Sequence, residues 1–237
     1  MAMCTRSLKM PARYRRSVSA GVGGGVLAAL LALLLAAPDA TAGEIRAAVR
    51  DRDGKPVADA VVVAVPAAGT ASASHPGVAE EDQRNKEFVP HVLPVQAGTR
   101  VSFPNNDNIR HHVYSFSPAK TFELPLYSGT PASPVLFDKP GVIVLGCNIH
   151  DWMVGYIYVS ESPHFAKTGA DGKATLGGLP GGDYTLRVWH PQLEGGEQAT
   201  ARQLAVPSSG AVDAATTIGL VPDFRARRAP TPGRGGY

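Results

Sequence analysis

The apolar runs of this chain are short, rich in valine and separated by turn residues, and this pattern restricts the folds that are open to it. The 237-residue sequence contains 26 glycines and 20 prolines. Turn pairs such as Asp53-Gly54, Ala97-Gly98 and Asp171-Gly172 stand between these runs. Short apolar runs bounded by turn residues are typical of strands, and no amphipathic stretch of three helical turns follows the N-terminal region. The sequence therefore predicts an all-β fold.

The N-terminal region has the layout of a secretory signal. Basic residues precede an apolar stretch at 21–37, and Ala40-Thr41-Ala42 provides a small-x-small cleavage site. The alternative is an uncleaved membrane anchor, since the stretch approaches the roughly 20 residues that span a bilayer. Pro38-Asp39 and the cleavage site favour removal. We therefore predict residues 1–42 to be a signal peptide and the mature protein to be periplasmic, without stable membrane insertion.

The charge of the chain changes when this signal is removed. Cleavage takes away five of the 23 basic residues and one of the 20 acidic ones, which leaves 18 and 19 and a net charge of −1. Nucleic-acid binding needs a clustered basic face, so no nucleic-acid partner is predicted. The charged run at 80–86 is expected to be a surface connection. The tail at 222–237 is rich in Arg, Pro and Gly and is expected to be disordered.

The run GCNIHDWM carries the residues with the most distinctive chemistry. The chain has two cysteines, and Cys4 lies in the predicted signal. Cys147 would therefore be the lone thiol of an exported protein, with no partner for an internal disulfide. His150 and Met153 follow it at three-residue steps. Thiolate, imidazole and thioether are the ligands of copper that alternates between Cu(I) and Cu(II), so this loop predicts a copper site.

A further ligand must come from a neighbouring strand, and two histidines compete for that role. His111 follows the polar turn at 105–108 and begins a strand, with His112 directly after it. Strand alternation points the two side chains to opposite faces. His112 is therefore a neighbour of the site, an outward residue or an alternative ligand. Trp152 is either a partner-docking residue or simple loop packing.

These residues resemble the cupredoxin family over roughly residues 88–159. The resemblance rests on Val95-x-x-Gly98-x-x-Val101-x-Phe103-x-Asn105-Asn106, on His111, and on Cys147-x-x-His150-x-x-Met153-Val154-Gly155. It lies nearest to plastocyanin-like members and, by the compact Cys-to-Met spacing, to amicyanin-like ones. It implies a Greek-key β-sandwich and one type 1 (blue) copper per chain. Carried over by position, His111, Cys147 and His150 would be the equatorial ligands and Met153 the axial one.

The segments on either side resemble a carboxypeptidase-regulatory or transthyretin-like β-sandwich. Neither segment is long enough to bury a good core alone. We therefore predict that the two form one small second sandwich with the copper module inserted between them. In the rival architecture, the first hairpin joins the copper sandwich and the last segment is appended. The predicted parts are 43–82 and 161–221 for the second sandwich and linker, and 83–160 for the copper-binding domain.

The predicted function is that of an exported blue copper protein, not an enzyme, which carries single electrons between a periplasmic redox donor and acceptor. The overall pattern also resembles methylamine-utilisation proteins, although no residue identifies an amine dehydrogenase as partner. Two other classes remain as alternatives: a copper carrier or sensor without redox cycling, and a structural or carbohydrate-binding β-sandwich. A Cys–His nucleophilic enzyme lacks any triad or oxyanion-hole signature in this sequence.

Overall fold

The computed structural model describes residues 42–67, 77–131 and 133–223. Most of the predicted signal, Cys4 and nearly all of the predicted tail lie outside these residues. Within them the chain forms strands and one 3₁₀ turn, Glu197–Thr200, with no α-helix, so the predicted all-β class is confirmed. The strands are β1 Gly43–Asp51, β2 Val61–Pro66, β3 Val78–Glu80, β4 Asp82–Arg84, β5 Glu87–Val89, β6 Val92–Gln96, β7 Thr99–Ser102, β8 His111–Ser117, β9 Lys120–Tyr127, β10 Val135–Phe137, β11 Gly141–Gly146, β12 Val154–Ser160, β13 Phe165–Lys167, β14 Lys173–Leu179, β15 Gly182–Trp189, β16 Arg202–Val206 and β17 Gly210–Ile218.

The middle of the chain, residues 78–160, forms a group of sheets that we call the central sandwich. One sheet has the strand order β6-β12-β11-β8-β9 and another has the order β10-β7-β3. Their buried side chains form one apolar cluster, which includes Phe103, Phe137, Ile143, Leu145 and Ile157. In β7 and β11, buried positions alternate with more exposed ones, as expected for strands that are buried on one face, whereas β12 is buried at every position from Ile157 to Ser160.

The pairing of β8 with β11 brings two distant parts of the sequence together. The strands are antiparallel, and Gly146 at the end of β11 pairs with Tyr114 in the middle of β8. A Cβ atom on Gly146 would lie 2.6 Å from the Tyr114 ring, so only glycine permits this close approach. Because the strands run in opposite directions, the loop that follows β11 lies beside the first residues of β8.

The charged run at 80–86 was expected to be a surface connection, and this is wrong for three of its residues, although residues 80 and 84–86 are exposed. Glu81, Asp82 and Gln83 are all buried. The backbone N–H groups of Glu81 and Gln83 donate to the carbonyls of Ser102 and Pro104, at 2.9 and 3.0 Å. These bonds hold the segment against the end of β7, where the three side chains lie in the interior.

Strands from both ends of the described chain build a second unit, the flanking sandwich. Its sheets have the orders β14-β1-β17 and β13-β2-β15-β16. β1 and β17 are parallel and stay in register from Gly43↔Gly210 to Asp51↔Ile218. The core between the two sheets is aliphatic apart from Tyr184. Strands that precede the central sandwich therefore share sheets with strands that follow it.

A small apolar cluster joins the two sandwiches. Val61 and Trp189 of the flanking sandwich pack with Val92 and Tyr158 of the central one. The Tyr158 hydroxyl donates to Glu197 Oε1 at 2.7 Å. This contact covers part of β6 and β12.

In the ranges 42–67, 77–131 and 133–223, no helix has the length and apolar character needed to cross a membrane.

Candidate metal centre

Three of the four predicted ligands meet at one end of the central sandwich. His111 begins β8, whereas Cys147 and His150 lie in the loop between β11 and β12. One ligand atom from each lies within 4.8 Å of the others, and all three side chains are buried. The β8–β11 pairing produces this meeting, because it places the loop beside His111.

The ring of His111 is oriented so that one of its nitrogen atoms faces the thiol of Cys147. Its Nδ1 lies 3.8 Å from the Sγ of Cys147. Its Nε2 lies 2.7 Å from Oδ2 of Asp107, which accepts a hydrogen bond from the Nε2–H tautomer. That tautomer leaves a lone pair on Nδ1, which is the form of imidazole that binds a metal ion.

His150 has a buried ring nitrogen without a partner. Its Nδ1 has no hydrogen-bond partner among the described residues, and its ring centroid lies 5.1 Å from that of His111. Burial lowers the pKa of His150, and the nearby His111 and Lys86 lower it further, while Asp107 acts in the opposite direction. A neutral imidazole is thus favoured, and a buried nitrogen without a partner is costly unless something binds it.

Met153 lies in the same buried apolar cluster as Cys147 and is only 1% exposed. Its backbone N–H donates to the carbonyl of His150 at 3.0 Å, which closes the loop into a tight turn. Both observations place Met153 in the interior at the end of the ligand loop. Its role as an axial ligand stays a prediction.

His112 lies outside the His–Cys–His group, and the structure gives it other contacts. Its Nδ1 is 2.5 Å from Nδ2 of Asn148, whose amide can donate to it. Its Nε2 lies 2.9 Å from Oε1 of Glu123, although not in hydrogen-bond geometry. His112 therefore ties the ligand loop to β8 from the face opposite to that of His111, as strand alternation requires.

Asp107 is the residue at this site that the sequence analysis missed. It was seen only as part of a polar turn, yet its carboxylate contacts His111. Burial acts to raise the pKa of Asp107, but hydrogen bonds from the backbone of Lys86, from His111 and from the backbone of Asn85 hold it below its ordinary value. The available signal was an aspartate four residues before a candidate ligand.

The donor set fits copper. A thiolate and two imidazoles match the trigonal set of electron-transfer copper sites, and a buried thioether lies in the same loop. Nδ1 of His150 has no hydrogen-bond partner among the described residues, and Nδ1 of His111 lies beside the Sγ of Cys147. Both nitrogen atoms are therefore available to a metal ion. The residues present can therefore hold one copper ion without rearranging the strands that carry them.

Comparisons of this chain with known proteins found similar solved structures but no similar sequence family. No family model matches the chain, and no curated protein sequence matches it. A purple cupredoxin from Nitrosopumilus maritimus is similar at 26% identity and a TM-score of 0.31, over 35% of this chain and 99% of that one. A Cu-containing nitrite reductase (NirK) from Thermus scotoductus SA-01 is similar at 30% identity and a TM-score of 0.34, over 41% of this chain and 25% of that one.

An oxidised mutant form of amicyanin is similar at 18% identity and a TM-score of 0.32, over 43% of this chain and 99% of that one. The structural neighbours are thus cupredoxins, and each of these three matches covers less than half of the chain. At TM-scores this low they carry no argument about function. The interpretation of the site therefore depends on its own geometry and donor set.

Proposed function

We propose that this protein is an exported cupredoxin-type electron carrier that holds one type 1 copper ion. The observation that carries the proposal is the buried group of His111, Cys147 and His150, whose ligand atoms lie within 4.8 Å of one another. Met153 is proposed as the weak axial ligand. A set of soft and borderline ligands of this kind accommodates both Cu(I) and Cu(II).

Each residue has a distinct part in this proposal. Bound copper would supply the one-electron change. Cys147 would bind as the thiolate, so its proton leaves when the metal enters. Asp107 keeps the His111 proton on Nε2 and thereby leaves Nδ1 available. The strands on either side of the ligand loop limit its movement, so the ligands change little in position when the charge of the site changes.

The surface beside His150 supports contact with a redox partner. Ile149, directly before His150, is 50% exposed. The ring of Trp152 lies 5.0 Å from that of His150, between centroids. Apolar groups beside a ligand exclude water when a partner docks and shorten the distance that an electron must cross. We propose that a donor and an acceptor in the periplasm meet the protein here, and that it catalyses no reaction itself.

The test is to load the purified protein with Cu(II) and record its visible spectrum and its voltammogram. We expect stoichiometric copper, an intense thiolate-to-copper absorption and a reversible one-electron wave. Cys147→Ser should lose the absorption completely, whereas Ile149→Ser, two residues away and without a ligand atom, should keep it. Colourless wild-type protein without bound copper would contradict the proposal and favour a structural or carbohydrate-binding sandwich.

The alternative of a copper carrier or sensor makes a different prediction. A carrier releases its metal to a competitor quickly and gives no reversible wave. Side chains buried to the extent of His111 and Cys147, at 0% and 4% exposure, make rapid exchange unfavourable. Fast transfer of Cu(I) to a chelator, together with an irreversible voltammogram, would replace the electron carrier with the carrier or sensor.

A further inference from the structure

We infer that Asp107 is a positioning residue of the metal centre, which fixes His111 through Nε2 and biases the site toward oxidised copper. The inference depends on the proposed function, because it concerns the copper that His111 would bind. Asp107 contacts no predicted metal-binding atom itself. It acts through the far nitrogen of a ligand, and its own position is set by a hairpin distant in the sequence.

The carboxylate of Asp107 is held by three donors. His111 Nε2 lies 2.7 Å from Oδ2. The backbone N–H of Lys86 donates to the same oxygen at 2.9 Å, and the backbone N–H of Asn85 donates to Oδ1 at 2.6 Å. The Asp107 side chain is 13% exposed, so solvent screens these interactions little. Both oxygens therefore accept hydrogen bonds, and the carboxylate has a defined orientation.

The two backbone donors come from a turn that is shaped to present them. Asn85 and Lys86 join β4 to β5, and Arg84 pairs with Glu87 on either side of them. Both turn residues have positive φ, 55° and 61°, as the two central residues of a type I′ hairpin turn do. Two successive N–H groups that point to one side form a concavity for an anion. In this protein, the anion is the Asp107 carboxylate.

The backbone of Asp107 is fixed as well. Its N–H donates to Oδ1 of Asn105 at 3.0 Å, and the Asn105 amide donates to the carbonyls of Ile109 and Tyr127, both at 2.9 Å. Asn105 is buried. The loop between β7 and β8 is thus closed around one buried side chain. The distance from Asp107 to His111 is consequently determined by the fold.

Two chemical consequences follow for a metal at Nδ1 of His111. A carboxylate that accepts a hydrogen bond from Nε2–H fixes the tautomer and the orientation of the ring, so the lone pair on Nδ1 stays directed at the metal position. A negative charge this close also interacts more favourably with Cu(II) than with Cu(I), because the Coulomb energy grows with the charge of the ion. This second effect stabilises the oxidised state and lowers the reduction potential.

The experiment compares Asp107→Asn with Asp151→Asn. Asp151 is the matched control, because it is exposed and lies next to the other histidine ligand, so its removal changes charge in solvent without touching a ring nitrogen. Competition titrations with Cu(II) and Cu(I) chelators give the two affinities of each variant. Loss of such a partner typically costs about 10–100-fold in metal affinity. We expect Asp107→Asn to weaken the binding of Cu(II) at least tenfold more than the binding of Cu(I). A tenfold difference is equivalent to a rise of about 59 mV in the reduction potential.

Asp151→Asn, the control, should change the ratio of the Cu(II) affinity to the Cu(I) affinity by less than about threefold, since solvent screens the charge of Asp151. A ratio that is unchanged in Asp107→Asn, with the wild-type absorption present, would overturn the inference and leave the proposed function standing. Wild-type protein that binds no copper would overturn both. Side-chain ¹⁵N NMR of metal-free wild-type protein needs no variant: we expect His111 to carry its proton on Nε2, and a proton on Nδ1 would overturn the inference.

Discussion

The two sandwiches of this protein differ most in how their buried polar groups are satisfied. In the flanking sandwich, the buried Thr168 hydroxyl donates to the carbonyl of Val57 at 2.7 Å and accepts the N–H of Ala60 at 2.9 Å. In the central sandwich, both carboxyl oxygens of buried Glu81 and the Nδ1 of His150 have no hydrogen-bond partner among the described residues. The two units are built from the same kind of strand, yet only one leaves fully buried polar side chains unpaired.

One of these atoms, Nδ1 of His150, belongs to the candidate metal centre, where a bound ion would satisfy it. A buried polar atom without a partner costs about 1–3 kcal/mol, so it is retained in few places. The unpaired atoms of the flanking sandwich belong to the half-buried guanidinium groups of Arg187 and Arg202, and Nε of Arg187 lies 3.3 Å from the carboxylate of Glu197. We therefore expect the core of the flanking sandwich to be separable from the proposed metal binding.

The largest expected effect comes from Leu186→Ala in the core of the flanking sandwich. Leu186 is 1% exposed, and truncation of such a side chain costs about 2–5 kcal/mol of unfolding free energy. Chemical denaturation measures this loss. Leu126→Ala in the central sandwich is the control, because Leu126 is 52% exposed and its loss should change stability by no more than about 0.5 kcal/mol. If the folded Leu186→Ala protein also binds copper more weakly, metal binding depends on the core of the flanking sandwich, and the expectation that the two are separable is wrong.

A smaller loss is expected from Thr168→Val. Valine has nearly the same shape, but the N–H of Ala60 and the carbonyl of Val57 lose their shared partner in a buried region. We expect the free energy of unfolding to fall by about 1–3 kcal/mol. Thr175→Val, at an exposed position of β14, is the matched control and should be nearly neutral. Equal stability of the two variants would mean that the Thr168 hydrogen bonds do not hold the flanking sandwich together.

The smallest effect, and the one most specific to the central sandwich, concerns Glu81. Burial raises the pKa of Glu81 well above its ordinary value, with a further rise from Asp82 and an opposing effect from Lys167. The folded state therefore binds the Glu81 proton more tightly than the unfolded state does. Its contribution to stability is full below the unfolded pKa and is lost as pH rises through the folded pKa.

Glu81→Gln should remove this loss. We expect the variant to be more stable than the wild type at pH above the ordinary glutamate range, by about 1 kcal/mol, and to equal it in acid. Denaturation curves recorded at several pH values measure the difference. Glu80→Gln, at the exposed neighbouring position, should keep the wild-type pH dependence. Parallel curves for wild type and Glu81→Gln would show that the Glu81 carboxyl finds a partner in solution.

The candidate site was predictable from sequence only in part. Spacing alone brought Cys147, His150 and Met153 into one loop, and the resemblance added His111. The choice between His111 and His112 stayed open at the level of residues, because a one-residue shift in register exchanges the faces of a strand. The structure places His111 beside the thiol and His112 beside Asn148 and Glu123.

The error at 80–86 has a related cause. A run that contains Glu80, Glu81, Asp82 and Lys86 has the composition of an exposed connection, and composition is a local property. Its burial follows from backbone bonds to residues about 20 positions away, such as that from Gln83 to Pro104. The hydrogen bonds from the Asn85–Lys86 turn to Asp107 are likewise long-range contacts, so no local sequence pattern predicts them.

Local patterns in the sequence were sufficient to predict that this protein is built of short strands and which ligand-type side chains lie within reach of one another along the chain. Turn residues and apolar periodicity act over a few residues, and they can be interpreted without knowing what pairs with what. Long-range contacts were needed to establish that strands from both ends share the flanking sandwich and that His111, not His112, faces Cys147. They were also needed to show that a hairpin turn holds Asp107 against the far side of that histidine. Strand register and carboxylate partners depend on contacts between distant segments, and these exist only once the chain has folded.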